Sequence, residues 1–266
     1  MDLLITGAAS GIGKAVVKHF LEHGHTVYGI DLTKTESSGR YHGFTADITD
    51  ESALRRVRDR LLEDGVTLDA IVDIAGIHMM ASLVESDPAK MKKLIDVDLF
   101  GPILVDRVFY DRLAANGRIV IVTSEVAAFD PMPFNGLYSV AKTALDVYAQ
   151  ALRQELGLVG QKVVTIRPGA VETDLSIGSM KATRELADTT VLYRKQARNF
   201  AGLAARFMGR PISPEALAAL IYKATTAAHP RLIYTKHQNI GLVLLDALPK
   251  RVQCAVIRML LRLDLS

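Results

Sequence analysis

The chain has 266 residues, of which 49% are hydrophobic and 23% charged, and its formal net charge is +3. These values exclude a disordered chain or a fibre, and the single cysteine, Cys254, excludes a disulfide framework and a cysteine-based metal site. Because acidic and basic residues are interspersed, no nucleic-acid partner is expected, and the scattered histidines predict no metal site. With no apolar export segment and no run of about 18 apolar residues, we expect a cytoplasmic protein.

Short apolar runs alternate with longer helical patterns along most of the chain. Such runs are typical of strands buried on both faces, and their alternation with helices predicts an α/β fold with a parallel sheet. With no internal repeat or linker, we infer one domain over residues 1–266. The predicted strands cover residues 3–5, 25–30, 70–72, 118–122, 162–166 and 232–234. The predicted helices cover residues 12–23, 50–62, 88–115, 136–157 and 214–228.

The pattern changes after Thr173. Residues 175–210 contain no strand candidate and are rich in Met, Arg and Lys, which predicts a helical lid over the substrate. Residues 240–266 are predicted to form amphipathic C-terminal helices broken at Pro249, with apolar and basic residues on different faces. Such a tail either docks on the body of the protein or lies on an anionic membrane, so a peripheral membrane contact stays open.

A glycine-rich turn follows the first predicted strand and leads into the first predicted helix. Its glycines, Gly7, Gly11 and Gly13, let the backbone approach a pyrophosphate. The beginning of the helix, at Ser10 and Ile12, supplies free N–H groups and the positive end of the helix dipole. The turn therefore predicts a dinucleotide site.

Asp31 ends the second predicted strand, 18 residues after Gly13. An acid at this place hydrogen-bonds a free ribose diol and repels a 2′-phosphate. Neither Ser10 nor Leu32 is a basic residue that would bind such a phosphate. We therefore expect NAD rather than NADP.

Tyr138 and Lys142 lie four residues apart near the beginning of a long predicted helix, and therefore on one helical face. A free phenol is a poor base at neutral pH, but a nearby ammonium favours the phenolate. Ser124 ends a predicted strand at the carboxyl edge of the sheet, where open α/β sheets bind ligands. Its hydroxyl is placed to hold a carbonyl or alcohol oxygen.

In this order, these motifs resemble the short-chain dehydrogenase/reductase family, in its compact single-domain branch, over roughly residues 2–235. The resemblance implies a Rossmann-type, doubly wound sheet of seven parallel strands and an NAD-dependent oxidoreductase acting on CH–OH donors. It also implies homodimers or homotetramers formed through the helices near 90–115 and 136–157. The matching positions are Thr6-Gly7-x3-Gly11-x-Gly13, Asp47, Ala75-Gly76, Ser124, Tyr138-x3-Lys142 and Pro168-Gly169-x-Val171-x-Thr173.

The resemblance also assigns roles to these residues. Tyr138 is the general acid and base, Ser124 polarises the substrate oxygen, and Lys142 tunes Tyr138 and holds the nicotinamide ribose. The remaining cofactor contacts come from Asp47 and Ile48 beside the adenine, Ala75 and Gly76 after the fourth strand, and Pro168, Gly169, Val171 and Thr173 facing the carboxamide.

Two positions depart from the family pattern. The stretch Asp73-Ile74-Ala75-Gly76 stands where the family usually has Asn-Asn-Ala-Gly, and Asp98 stands where it commonly has Asn. That Asn helps to order a water chain to the lysine, whereas Asp98 carries charge and lacks the amide donor. One hypothesis is a retained proton relay with Asp98 as a catalytic residue and an altered pH dependence. The other is a weak or non-catalytic member that senses its cofactor.

The substrate pocket is predicted between residues 78–81, residues 125–133 and the lid. Its apolar, deformable side chains favour a bulky hydrophobic alcohol or ketone. The tail resembles those of hydroxysteroid- and retinol-type members, which implies a steroid-like or retinoid-like substrate. The alternatives are a reductase of 3-oxoacyl thioesters and an enzyme acting on polyols. The apolar pocket residues are Met79, Met80, Met132, Phe134, Leu175 and Met180.

Overall fold

The computed structural model describes residues 1–207 and 210–262, without the side chains of residues 180 and 205–207. Within this part of the chain, seven strands form one parallel sheet in the order β3-β2-β1-β4-β5-β6-β7. This order confirms the doubly wound fold and puts the topological switch point between β1 and β4. The strands are β1 Asp2–Thr6, β2 Thr26–Asp31, β3 Tyr41–Thr45, β4 Leu68–Asp73, β5 Leu113–Val122, β6 Lys162–Pro168 and β7 Ile233–Lys236.

Helices cover both faces of the sheet. On β1, Leu4 packs toward the face covered by α2, α4 and α5, whereas Leu3 and Ile5 pack toward α1 and α8. Because successive side chains point to opposite faces and both faces are buried, the strand shows no alternation of apolar and polar residues. The helices are α1 Gly11–Glu22, α2 Glu51–Glu63, α3 Pro88–Ile95, α4 Gly101–Phe109, α5 Gly136–Gly157, α6 Asp174–Thr189, α7 Arg194–Phe207, α8 Pro214–Thr226, α9 Ile240–Asp246 and α10 Lys250–Arg262.

The predicted single helix over residues 88–115 is wrong. It is divided by a π-helical turn at Asp96–Phe100, and a 3₁₀ turn at Tyr110–Arg112 ends its second half before β5 begins at Leu113. A π turn carries one extra residue and is frequent at functional sites. Here it places Asp98 in the interior with no exposed surface.

The edge strand β3 was missed in the sequence. Its residues, Tyr41–Thr45, contain a central glycine and are only partly buried. Because this edge strand contains few aliphatic residues, it shows no Val/Ile/Leu run. Only the seven-stranded sheet implied by the family resemblance predicted a further strand.

The described residues of the predicted lid are mostly helical and form α6 and α7. These helices and α10 enclose a third apolar cluster, the lid cluster, which consists of Phe134, Leu186, Ala187, Ala197, Phe200 and Leu261. The predicted break at Pro249 is confirmed between α9 and α10. Residues 208, 209 and 263–266 of the predicted lid and tail lie outside the described part. None of the described helices is long and apolar enough to cross a membrane.

Candidate active site

The glycine-rich turn closes tightly at the switch point of the sheet. Gly7 and Gly11 have φ angles of +70° and +48°, a region that strongly favours glycine. A Cβ at Gly13 would lie 1.9 Å from the Gly7 carbonyl oxygen, so the helix could not begin so close to the turn with any larger residue. A Cβ at Gly7 would lie 3.0 Å from the Cα of Ala75, which follows β4. The turn and Ala75 therefore form the two sides of one crevice.

The beginning of α1 fits a phosphate group. Its N-cap residue, Ser10, is exposed and makes no side-chain capping bond, whereas Asp50 caps α2 and Asp87 caps α3. The first N–H groups of α1 therefore lack a side-chain acceptor at the point where the helix dipole favours an anion. These features fit the pyrophosphate of a dinucleotide, with Ile12 in the first turn.

Asp31 is fixed at the end of β2 beside the glycine-rich turn. Its Oδ2 accepts from the Ala9 amide at 2.9 Å, and its Oδ1 accepts from the Thr33 amide at 2.9 Å. The neighbouring Leu32 is exposed. These bonds hold a carboxylate at the place where the ribose of a bound dinucleotide is recognised in this fold.

Asp47 and Ile48 follow β3, one strand further out. Asp47 Oδ1 accepts from the Thr49 amide at 2.8 Å and from its hydroxyl at 2.7 Å, which forms a tight turn. Ile48 is buried and touches the first residue of α4, because a Cβ at Gly101 would lie 2.6 Å from its Cδ1. The Asp47 carbonyl oxygen also accepts from the Asp50 amide at 3.0 Å, which fixes this turn before α2. That Asp47 and Ile48 lie beside the adenine stays a prediction.

Ser124, Tyr138 and Lys142 come together at the carboxyl edge of β5. Ser124 begins a short 3₁₀ turn after the strand, and the other two residues lie on the first turns of α5. The Ser124 hydroxyl lies close enough to the Tyr138 phenol to lower its pKa, and it accepts from the Val126 amide at 3.4 Å. Lys142 Nζ lies 5.8 Å from the centre of the Tyr138 ring. The predicted catalytic group is therefore assembled in the fold.

Asp98 joins this group from the π turn. Its Oδ2 lies 3.2 Å from Lys142 Nζ in an ion pair that is almost completely buried. Its Oδ1 accepts from the Ile77 amide at 2.7 Å. Gly76 covers the pair, since a Cβ there would lie 3.3 Å from Lys142 Nζ and 3.4 Å from both Asp98 oxygens. The charge of Lys142 is thus balanced directly by a carboxylate.

The electrostatic balance at Tyr138 differs from the simple expectation of a lowered pKa. Burial raises the pKa of the phenol above its ordinary value, and the Asp98 carboxylate raises it further. The Lys142 ammonium and the Ser124 hydrogen bond lower it, but by less. Although burial lowers the pKa of Lys142, Asp98 and Tyr138 raise it above its usual range overall. Asp98 therefore keeps Lys142 charged while weakening its effect on Tyr138.

His78 packs on the predicted catalytic tyrosine, with 4.4 Å between the ring centres of His78 and Tyr138. Its Nε2 lies 3.0 Å from Asn135 Oδ1, and burial lowers the pKa of the imidazole. A neutral ring that donates through Nε2 leaves Nδ1 as an acceptor, and this buried atom has no hydrogen-bond partner among the described residues. The sequence placed His78 in the pocket wall, but nothing in it indicated this stacking.

A buried carboxyl pair lies beneath the site and was missed in the sequence. Asp73 and Asp106 are 2% and 3% exposed, and Tyr148 donates to Asp106 Oδ2 at 3.0 Å. Both Asp73 oxygens and Asp106 Oδ1 lack a donor if both groups are ionised. Burial and the Asp106 charge raise the pKa of Asp73 well above its usual range, and burial raises that of Asp106 to about 7. The pair therefore retains a proton that separate surface carboxyls would release.

The turn after β6 approaches the site from the other side. Pro168 ends the strand, and the Gly169 amide donates to the Lys236 carbonyl oxygen at 2.8 Å. A Cβ at Gly169 would lie 1.9 Å from the His237 carbonyl oxygen, so the close approach of these two segments requires glycine.

Val171 and Thr173 have different environments. Val171 is 6% exposed and pairs with Ile212, so its side chain belongs to the core and only its backbone is left to meet a cofactor. Thr173 caps α6 by accepting from the Ser176 amide at 3.3 Å. Its Cγ2 would lie 3.3 Å from a Cβ at Gly11, which brings this turn next to the glycine-rich one.

The predicted apolar pocket is partly formed. Met80 and Met132 pack against the lid cluster, which contains Phe134, whereas Met79 is only half-buried. Leu175 is 43% exposed, and the Met180 side chain lies outside the described part. Phe134, four residues before Tyr138 in the chain, belongs to the lid cluster, and the other members of this cluster lie on α6, α7 and α10.

Comparison with known proteins supports this description. Residues 2–183 match the sequence profile of the short chain dehydrogenase family. A 3-ketodihydrosphingosine reductase of Bacteroides thetaiotaomicron is 27% identical over 173 residues, which is 64% of this chain and 64% of that protein. Estradiol 17-beta-dehydrogenase 2 of Rattus norvegicus is 31% identical over 203 residues, covering 70% of this chain and 53% of that protein. The chain thus spans less than two thirds of the length of both relatives.

Solved structures agree with the fold. A short-chain dehydrogenase of Streptomyces avermitilis superposes with a TM-score of 0.76 at 20% identity, over 97% of this chain and 94% of that chain. One of Burkholderia cenocepacia, in complex with NADP, superposes with a TM-score of 0.73 at 19% identity, over 96% of each chain. With the family profile matched over residues 2–183, this chain belongs to the short-chain dehydrogenase family of nicotinamide-dependent oxidoreductases.

Proposed function

We propose that the protein is an NAD(H)-dependent oxidoreductase that interconverts a secondary alcohol and a ketone on a bulky hydrophobic substrate. The observation that carries this proposal is the assembly of Ser124, Tyr138 and Lys142 after β5 and at the beginning of α5. Phe134 of the apolar lid cluster lies four residues before Tyr138 in the chain. The names of the two relatives denote a ketosphingoid reductase and a steroid dehydrogenase, and both classes of substrate are largely apolar.

The chain's own residues supply the proton chemistry. When bound, the nicotinamide accepts or donates the hydride. Ser124 holds the substrate oxygen by a hydrogen bond, and Tyr138 takes its proton during oxidation or returns it during reduction. Lys142 offsets the charge of the phenolate, and Gly76 and Asp98 keep its ammonium in place. The apolar lid excludes water from the reacting carbon.

The preference for NAD rests on Asp31. Its two carboxylate oxygens are held by backbone amides on both sides, at 2.9 Å each. A carboxylate fixed in this way is positioned to accept from ribose hydroxyls and repels a phosphate in the same place. Leu32, the next residue, offers no positive charge to offset this repulsion.

The test is steady-state absorbance at the NADH band with the purified chain. Hydroxysteroids, polyols and short alcohols are tested with NAD or NADP, and sphingoid ketones with NADH or NADPH. We expect turnover with NAD or NADH on the apolar members. Tyr138→Phe should abolish turnover. Asp31→Ala should lower the ratio of kcat/KM with NAD to kcat/KM with NADP at least about tenfold. Glu36→Gln, an exposed change in the loop after β2, is the matched control. A wild-type preference for NADP would refute the cofactor assignment.

A second candidate is a cofactor-sensing protein with little turnover, which the Asp98–Lys142 ion pair favours because Asp98 raises the pKa of Tyr138. Full pH–rate profiles of wild type and Asp98→Asn distinguish the two. An active enzyme should show the limb that reports ionisation of Tyr138 at lower pH in Asp98→Asn; this is the rising limb for alcohol oxidation and the falling limb for ketone reduction. A sensor should bind NADH tightly and show no turnover until Asp98 is replaced.

We also propose a homodimer or homotetramer. Phe100 of the π turn is 57% exposed, and Val140 and Val147 of α5 are 54% and 64% exposed. Residues 140 and 147 are seven apart and therefore share one side of the helix. Light scattering of wild type and Val147→Asp tests this surface, and a monomeric wild type would refute the proposal.

A further inference from the structure

The outer surface of the tail carries apolar side chains that the fold leaves exposed. On α9, Ile240, Val243 and Leu244 are 73%, 42% and 66% exposed, and on α10, Val252 and Met259 are 46% and 55% exposed. These five side chains define the tail surface. We propose that the tail surface binds peripherally to an anionic lipid bilayer, with its apolar side chains in the interface and adjacent arginines at the lipid phosphates.

The opposite side of α10 is already occupied. Ile257 and Leu261 pack into the lid cluster, and Asn199 Nδ2 donates to the Leu261 carbonyl oxygen at 3.0 Å. Gln253, one turn before Ile257, is buried on the same side. Docking on the body therefore fixes the orientation of the helix and turns Val252 and Met259 outward. Docking on the body of the protein and contact with a membrane therefore involve different faces of α10.

Positive charge accompanies the tail surface. Arg251, Arg258 and Arg262 are exposed and, spaced by seven and four residues, lie on one side of α10, which contains no acidic residue. Among the described residues, two acids near the tail are engaged elsewhere: Asp130 pairs with Lys250, and Asp246 accepts from the Asp130 amide at 3.0 Å. Arginines beside exposed Val and Met side chains match the surface of a lipid bilayer, where apolar acyl chains lie next to anionic headgroups.

This charge pattern favours a bilayer over a second copy of the chain. A symmetric contact across the tail surface would bring two sets of three arginines together, and their repulsion opposes such a dimer. Anionic lipids instead attract each basic residue near their surface, and salt weakens the attraction. The bilayer would then lie beside α10, the helix that contributes Leu261 to the lid cluster.

The test is co-sedimentation of the full chain with phosphatidylcholine vesicles, with and without phosphatidylserine, at low and high salt. We expect partition only onto phosphatidylserine vesicles, weakened by salt. The triple variant Arg251→Gln/Arg258→Gln/Arg262→Gln should lower the partition coefficient about tenfold or more. Ile240→Asp/Leu244→Asp should also lower it, which separates insertion from simple charge attraction.

The control removes the same charge elsewhere, with Arg56→Gln/Lys90→Gln/Lys93→Gln on α2 and α3. It should bind vesicles like wild type, and circular dichroism should confirm that all variants are folded. The proposal would be overturned if the control triple variant lost as much vesicle binding as the arginine triple variant. It would also be overturned if wild type did not bind phosphatidylserine vesicles. A dimer seen by light scattering that only the tail variants dissociate, without vesicle binding, would assign the surface to a second copy instead.

Discussion

Replacing Asp106 by Asn should reduce a pH dependence of stability that the wild-type fold carries. Asp73 and Asp106 face each other in the core, and burial raises the pKa of Asp106 to about 7, from an ordinary value of 3.8. Because the folded-state pKa lies above that of the unfolded chain, the folded protein keeps a proton that the unfolded chain releases. The stabilisation is complete below about pH 4 and is lost as the pH rises through about 7.

The size of the effect follows from the shift of the pKa of Asp106 from 3.8 to about 7. At 1.36 kcal/mol for each pH unit, one retained proton corresponds to about 4 kcal/mol of unfolding free energy lost between about pH 4 and pH 7. Asp73 shifts in the same direction, so the proton belongs to the pair rather than to one residue. In Asp106→Asn the amide stays neutral and donates to Asp73, and Tyr148 keeps an acceptor.

The assay is chemical denaturation of wild type, Asp106→Asn and Asp73→Asn/Asp106→Asn across this pH range, with unfolding free energies compared at each pH. The difference between Asp106→Asn and wild type should grow in favour of the variant as the pH rises. The double variant should be the least pH-dependent of the three. The unfolding free energy of Glu36→Gln, an exposed substitution, should change with pH as that of wild type does. A difference between Asp106→Asn and wild type that stays constant at every pH would refute the shared proton.

Three further changes test other parts of the structure. Gly13→Ala should weaken NADH binding at least about tenfold, measured by NADH fluorescence, because its Cβ would lie 1.9 Å from the Gly7 carbonyl oxygen. Glu85→Gln should speed limited proteolysis between α6 and α7, since the Glu85 carboxylate accepts from two amides of that turn at 2.9 and 3.0 Å. Asp146→Asn should cost about 2 kcal/mol in thermal or chemical unfolding, because it breaks a two-bond ion pair with Arg167 at 2.6 and 2.8 Å.

The sequence predicted those parts of the fold that depend on local patterns. Buried aliphatic runs located six of the seven strands, and helix spacing placed Tyr138 and Lys142 on one face. The glycine-rich turn was predictable because its chemistry is confined to a few consecutive residues. By contrast, β3 is a half-buried edge strand, and the π turn at Asp96–Phe100 is a one-residue irregularity inside a helical pattern. Neither leaves a periodic signal.

Contacts between distant segments could not be predicted in this way. Asp106 follows three aliphatic residues of α4, residues 103–105, and has no acidic neighbour on its own helix. Its partner Asp73, on β4, can therefore be recognised only in the folded structure. Glu85 likewise belongs to the loop before α3 but binds the turn between α6 and α7. Such pairs depend on the arrangement of whole elements, which no short window of sequence contains.

The two acids that act on Lys142 can be understood together. Asp98 is paired with Lys142 at 3.2 Å, and Lys142 in turn lowers the pKa of the more distant Asp73. If Asp73 ionised as well as Asp98, the Lys142 ammonium would be shared between two buried carboxylates. A proton retained between Asp73 and Asp106 reduces that competition and leaves Lys142 paired with Asp98. The deeper pair therefore acts on Tyr138 through Lys142, the ammonium that lowers the pKa of Tyr138.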